Sequence, residues 1–303
     1  MLGNAIGSRL AVGTATTVIA VVGALVLPTP AYAAYRQRAE SPRDTTASKT
    51  ATAACLGGEV LIGAGGRIND GQGGVALTAV VPAQNSVTVR GDALAGHHGT
   101  WSVIAVAVCQ SASIGAAGVV SGQLGSPSTA TCADGARLRG TGFALPPGAV
   151  LTSLLPSLND ASVTVRTPAI PVGAAPPVAY AICVRQLPVS HRLRDYQRSS
   201  PVDAAAAQTV AADRGATYEF PQMSAVGGEV SWADRSPTDR PEVFLDTLMP
   251  DEDLSSVTVQ AVRRPAGPTG RPVPGRAGGA PPEDPAQDQW STTAHAIGDV
   301  YYY

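Results

Sequence analysis

The chain has 303 residues, with 21 basic and 23 acidic side chains and a formal charge of −2. No strong field therefore points to nucleic acid or an anionic surface. Its 33 glycines and 25 prolines, with only 5% aromatic residues, suit many short strands and turns better than long helices.

Taken in chain order, residues 1–33 read as a secretory signal peptide. Arg9 supplies the positive charge, LAVGTATTVIAVVGALVL the apolar run, and PTPAYAA a small-residue site cleaved after about Ala33. An uncleaved anchor helix is the competing reading, disfavoured by Pro28 and Pro30. Residues 34–50 are polar and are expected to be a disordered linker. A first β-unit is expected over 51–110. It contains CLGGEVLIGAGGRI, VALTAVVP, the alternating strand SVTVR and WSVIAVAVC. NDGQGG between the first two reads as a hairpin turn.

A second unit, expected over 126–185, follows the same template with CADGARLRGTGFAL, VLTSLLP, SVTVR and VAYAIC. Residues 186–217 read as a linker, with DAAAAQTVAAD a candidate short helix. A third unit is expected over 218–303, with AVGGEV, VFLDTLMP, SVTVQ and WSTTAHAIG. Its inserted Pro/Gly-rich loop, residues 263–289, is expected to be disordered. The terminal Tyr301–Tyr303 has no counterpart in the other units and suits either a docked strand or an exposed tail.

Three units with such similar order indicate internal repetition. Each offers about four strands, with ATAAC and STATC as short additional ones. The expected fold is all-β: three related antiparallel four-stranded units, arranged as a pseudo-threefold β-prism. Tandem small β-sandwiches and a trefoil-like barrel are the rivals.

Four cysteines, Cys55, Cys109, Cys132 and Cys183, permit three pairings. The third unit fills both cysteine slots otherwise, with Ala225 and Gly298. Residues lost as a pair are most simply residues bonded as a pair, which predicts Cys55–Cys109 and Cys132–Cys183. Such disulfides fit an exported protein in an oxidising environment. A four-cysteine zinc site is disfavoured by the wide dispersion and the lack of a C-x-x-C spacing.

The set CLGGEVLIGAGG with WSVIAVAVC, and CADGARLRGTGF with VAYAIC, resembles a repeat of exported actinobacterial β-repeat proteins. Their unit is a cysteine followed by W-x-V-x-A-x-A-x-C, and their function is largely undefined. Leu56 and Ala133 depart from the proline that often follows the cysteine there. The resemblance implies export and β-structure and assigns no catalytic residue.

Chemistry-bearing patterns are sparse. The sequence contains neither H-E-x-x-H nor G-x-S-x-G, and neither a Walker loop nor a dinucleotide fingerprint. His97 and His98, in the variable loop of the first unit, are the weak candidate site, weighed against a solvated loop pair. His191 and His295 complete the histidines. Asp251, Glu252 and Asp253 read as a solvated turn in preference to a calcium loop. The RGD tripeptide at Arg90–Asp92 reads as coincidence. No catalytic residue, metal or cofactor is assigned.

The expected function is a secreted, non-catalytic β-repeat protein, a binding or surface-structural module for glycan or cell-envelope polymer, extracellular or wall-associated. Neither nucleic acid nor, after signal cleavage, membrane is an expected partner. The alternative is an exported hydrolase that uses His97 or His98 as base.

Overall fold

Val, Thr and Ala recur at alternate positions along several stretches of this chain: the SVTV strands bury one face, whereas SVIAVAVCQ is buried on both. The computed structural model describes residues 34–115, 117–157, 161–168, 170, 172–185, 192–202, 208–211, 219–232, 243–252, 254–263 and 290–302. Residues 1–33, 203–207 and 264–289 fall outside them. So do the signal-peptide reading and nearly all of the Pro/Gly-rich loop, whose first expected residue, Arg263, ends a strand.

The first unit contributes β1 (Tyr35–Glu40), β2 (Ser48–Ala54), β3 (Glu59–Asn69), β4 (Val75–Pro82), β5 (Ser86–Ala93) and β6 (Ser102–Ser111). The second contributes β7 (Ala117–Ser121), β8 (Ser128–Thr131), β9 (Ala136–Ala144), β10 (Ser153–Pro156), β11 (Ser162–Arg166) and β12 (Val178–Arg185). The third contributes β13 (Arg192–Val202), β14 (Gln208–Ala211), β15 (Glu219–Trp232), β16 (Val243–Pro250), β17 (Ser256–Arg263) and β18 (Trp290–Tyr302). The fold is all-β and antiparallel, as expected, but each unit holds six strands where the repeats delineate four, with ATAAC and STATC anticipating β2 and β8.

Two segments expected to be linkers therefore need correction. Within residues 34–50, β1 lies along β6 from Tyr35 opposite Cys109 to Glu40 opposite Ile104, and β2 pairs with β5. Within 186–217, β13 lies along β18 and β14 along β17, where a short helix was a candidate. Edge strands with one wet face carry charges, so YRQRAE reads as polar coil although it completes a sheet. Tyr301 and Tyr302 continue β18 opposite Phe220 and Glu219.

Three six-stranded sheets result, ordered β1-β6-β3-β16-β17-β14, β13-β18-β15-β10-β11-β8 and β2-β5-β4-β9-β12-β7. Each joins the first, sixth and third strands of one unit to the fourth, fifth and second of another, and the three joins close a cycle. Within a unit the two half-sheets face each other as a small sandwich. The SVTV strands show why: Val87, Val89, Val163, Val165, Val257 and Val259 are all fully buried in one continuous core. Each such side chain contributes roughly 1.5–3 kcal/mol. Their threonines face out, where Thr52 meets Thr88 and Thr129 meets Thr164, both at 3.0 Å.

The joins between units are short. Thr247 and Leu248 pair with Arg67 and Gly66; Ala79 and Val80 with Ala144 and Phe143; Ser153 and Leu154 with Glu229 and Gly228. Next to each join a glycine lies against a neighbouring unit's backbone. A Cβ on Gly65 would stand 2.7 Å from the Leu248 carbonyl oxygen and 2.7 Å from Pro250 Cδ. One on Gly142 would stand 2.5 Å from the Val80 oxygen and 2.7 Å from Pro82 Cδ. Gly227 bears the same relation to Leu154 and Pro156. The glycine and proline that mark the repeat in the sequence are thus the two sides of one contact between units. At a further contact Ala76, Val150 and Phe244, the same slot in each unit, pack into one apolar cluster.

Both disulfides join the halves of a sandwich. Cys55, just after β2, bonds Cys109 on β6, and Cys132, just after β8, bonds Cys183 on β12, each with a Cα–Cα distance of 5.6 Å. The pairing is the expected one, but one slot assignment needs correction. Met223 faces Gly298 as Leu61 faces Cys109, so Gly298 does occupy a cysteine slot. Ala225 faces Ile297 as Gly63 faces Val108, so AVGGEV matches GAGGRI and not CLGGEV. Ala211 pairs with Ser256 as Ala54 does with Ser86, which places the lost first cysteine at Ala212, outside the described residues.

Lys49, the sole lysine, ties the start of β2 to β6. Its ammonium donates to the carbonyls of Pro42, Asp44 and Trp101, pairs with the Asp44 carboxylate at 2.7 Å and lies 4.8 Å from the Trp101 ring centroid. That ammonium, with the N–H of Thr46, holds the Asp44 carboxyl down at about 2.

Candidate functional site

Strand geometry assembles one charged groove on the outer face of the first sheet. Alternation along β1 puts Arg36, Arg38 and Glu40 on the same side. Arg67 on β3, Ile104 on β6 and Met249 on β16 join Arg36 and Arg38, and Asp251 with Glu252 closes one end in the turn to β17. The cavity they line measures about 400 Å³.

The charges are unequally committed. Arg38 pairs with Glu40 at 2.7 Å, and Glu40 also accepts from Ser102 and Asn69, at 2.6 and 3.1 Å. The Ser102 hydrogen bond is the chief reason that the Glu40 carboxyl titrates below its usual range. Asp251 is held by Ser256 and Thr258. Arg36 is different. Its Nη2 donates to the Met249 sulfur at 3.2 Å, a weak acceptor, and its buried Nε has no partner. Burial lowers its affinity for the proton, Arg38 lowers it further, and Glu252 and Asp251 oppose this. Among the described residues Arg67 and Glu252 make neither a hydrogen bond nor an ion pair.

Beside the groove lies Asp246, the extra residue of a β-bulge between Leu245 and Thr247. The corresponding slots hold Thr78 and Thr152, whose hydroxyls donate to the carbonyls of Arg90 and Arg166 at 3.4 and 3.3 Å. Burial raises the Asp246 carboxyl to about 7, although a hydrogen bond from Thr247 and the charge of Arg67 oppose it. The unfolded carboxyl ionises near 3.8. The native state therefore holds the extra proton between about pH 4 and 7, and stability contributed by this group falls as pH rises through that window. Asp246→Thr is expected to remove that fall and to stabilise the protein at pH 8 by roughly 2–4 kcal/mol. Urea denaturation at pH 4, 6 and 8 measures both effects.

The residues singled out from sequence are not brought together. His97 is half-buried against Gly74, where a Cβ would meet its ring, while His98 is exposed. His295 is buried on β18 opposite Gly227, and His191 lies outside the described residues. None of the described histidines lines the groove. RGD lies inside β5, where Arg90 and Asp92 pair at 2.9 Å and Asp92 also accepts from Thr78. Among the described residues no group of three His, Cys, Asp or Glu side chains could hold a metal. No helix among them is long and apolar enough to cross a membrane.

Sequence reading missed the arginine groove because Arg36 and Arg38 sit in the segment taken for a linker. One signal was present: two arginines two residues apart, with the alternation of an edge strand.

Comparison with known protein families and with curated proteins finds no match for this chain.

Proposed function

We propose that the chain is an exported, non-catalytic β-repeat protein that binds an extracellular glycan or cell-envelope polymer through one face of a triplicated scaffold. Comparing its own three copies carries this reading. The position of Arg36 holds Val119 in the second unit and Asp195 in the third. That of Arg67 holds Ala144 and Glu229, and that of Asp251 holds Ala83 and Ser157. The fold is built equally well with cationic, neutral or acidic residues at these places, so the groove's charge set is not a requirement of folding. What recurs is scaffold: buried valines, the glycine–proline contact and, in two units, the disulfide.

Export is supported by two disulfides, which persist in oxidising compartments. The resemblance to exported repeat proteins is consistent with it. The purified protein is expected to be retained on a cell-envelope preparation or glycan array, and a His97→Ala, His98→Ala double variant is expected to be retained equally. Failure to bind any envelope fraction would overturn the binding role. Loss of binding in the double variant would move the site to the first unit's loop.

A further inference from the structure

Resting on that reading, we propose that the groove between β1, β3 and the β16–β17 turn recognises an acidic sugar unit, a pyranose ring bearing a single carboxylate. Three features of the groove specify this chemistry together.

The first is an unmet demand for an acceptor. Arg36 spends one donor on a thioether and leaves its buried Nε without a partner. A thioether is a poor acceptor, and a carboxylate entering the cavity would offer the Arg36 guanidinium a stronger one. Arg67 stands beside it with its guanidinium uncommitted, and planar guanidinium forks match a carboxylate in geometry.

The second is the size of the charge. Arg36, Arg38 and Arg67 line the cavity together with Asp251 and Glu252. Arg38 is balanced separately by Glu40. The remaining two guanidiniums match the two carboxylates in number, so the cavity is close to neutral and suits a ring carrying one carboxylate, with Glu252 free to accept from a ring hydroxyl.

The third is the apolar lining. Ile104, opposite Arg67 on the neighbouring strand, and Met249, in contact with Arg36, add an apolar surface suited to the C–H face of a sugar ring. A volume of about 400 Å³ lies within the usual span of small-ligand sites. A bare inorganic anion would leave that surface unused.

The test is calorimetric titration of the full chain with trigalacturonate, with maltotriose as the neutral sugar and a glycerol-phosphodiester oligomer as an anion without a ring. Trigalacturonate is expected to bind, and the other two to bind at least about tenfold more weakly. At about pH 5.5, where Asp246 stays protonated, Arg67→Ala, an exposed strand position, is expected to keep the wild-type Tm and weaken trigalacturonate binding by about tenfold or more. Arg166→Ala, exposed on β11 and outside the groove, is expected to leave binding unchanged. About 1 M salt, where the screening length is roughly 3 Å, is expected to weaken it strongly.

Equal affinity for maltotriose, stronger binding of the phosphodiester, or an Arg67→Ala variant with wild-type affinity would each overturn the proposal. Absence of trigalacturonate binding by a protein still retained on envelope preparations would overturn the ligand assignment and leave the binding role standing. Absence of both would overturn the two together.

Discussion

Gly142→Val is expected to destabilise the protein by about 3 kcal/mol and to lower its Tm by roughly 5–10 °C. The first side-chain carbon alone would lie 2.5 Å from the Val80 carbonyl oxygen and 2.7 Å from the Pro82 ring. Neither neighbour can swing away. The carbonyl belongs to the backbone of β4 where it joins β9 across units, and the proline ring is fixed to the end of the same strand. Relief requires the two strands to separate, which breaks a ladder only two residue pairs long. Gly118→Ala is the control, because open space surrounds its Cβ position, and it is expected to change the Tm little. Thermal unfolding by circular dichroism measures both. An unaltered Tm for Gly142→Val would mean that the joins between units do not hold the fold.

Removing the disulfides is expected to have the other large effect. The bridges close segments with sequence separations of 54 and 51 residues. Chain-entropy considerations assign about 4 kcal/mol to each such closure. Cys132→Ala with Cys183→Ala is therefore expected to cost about 4 kcal/mol in urea denaturation, and the first pair a similar amount. Loss of both approaches the whole stability of an ordinary domain, so the four-alanine variant is expected to be largely unfolded at 37 °C. The third unit lacks a bridge and depends on its shared sheets: β16 borrows β3 from the first unit, and β15 pairs with β10 of the second. A four-alanine variant with native Tm would show that these sheets suffice without any covalent link.

Much of this architecture was legible because repetition lets one copy interpret another. Strand class followed from the alternation in SVTVR, and the disulfide partners from their joint loss. The register of the third unit was misread because a GG pair occurs twice in the first, at Gly57–Gly58 and at Gly65–Gly66. Local similarity favoured the turn pair. Gly65 lies against Pro250 as Gly227 lies against Pro156, which selects the strand pair, and those contacts join residues far apart in sequence. Edge strands β1 and β13 were hidden for a different reason: a strand hydrogen-bonded on one side only can be as polar as YRQRAE and so has the composition of a linker. Exchange of sheets between units leaves no local trace, because a strand's hydrophobic pattern does not name its partner. The groove was illegible for the same reason. Arg36 and Met249, in contact at 3.2 Å, are 213 residues apart.

Differential scanning calorimetry of the intact, oxidised chain tests the sharing of sheets between units most directly. Shared sheets tie the units into one cooperative body, so one transition is expected, with equal calorimetric and van't Hoff enthalpies. Two or three separable transitions, the behaviour of independent sandwiches on a string, would contradict it.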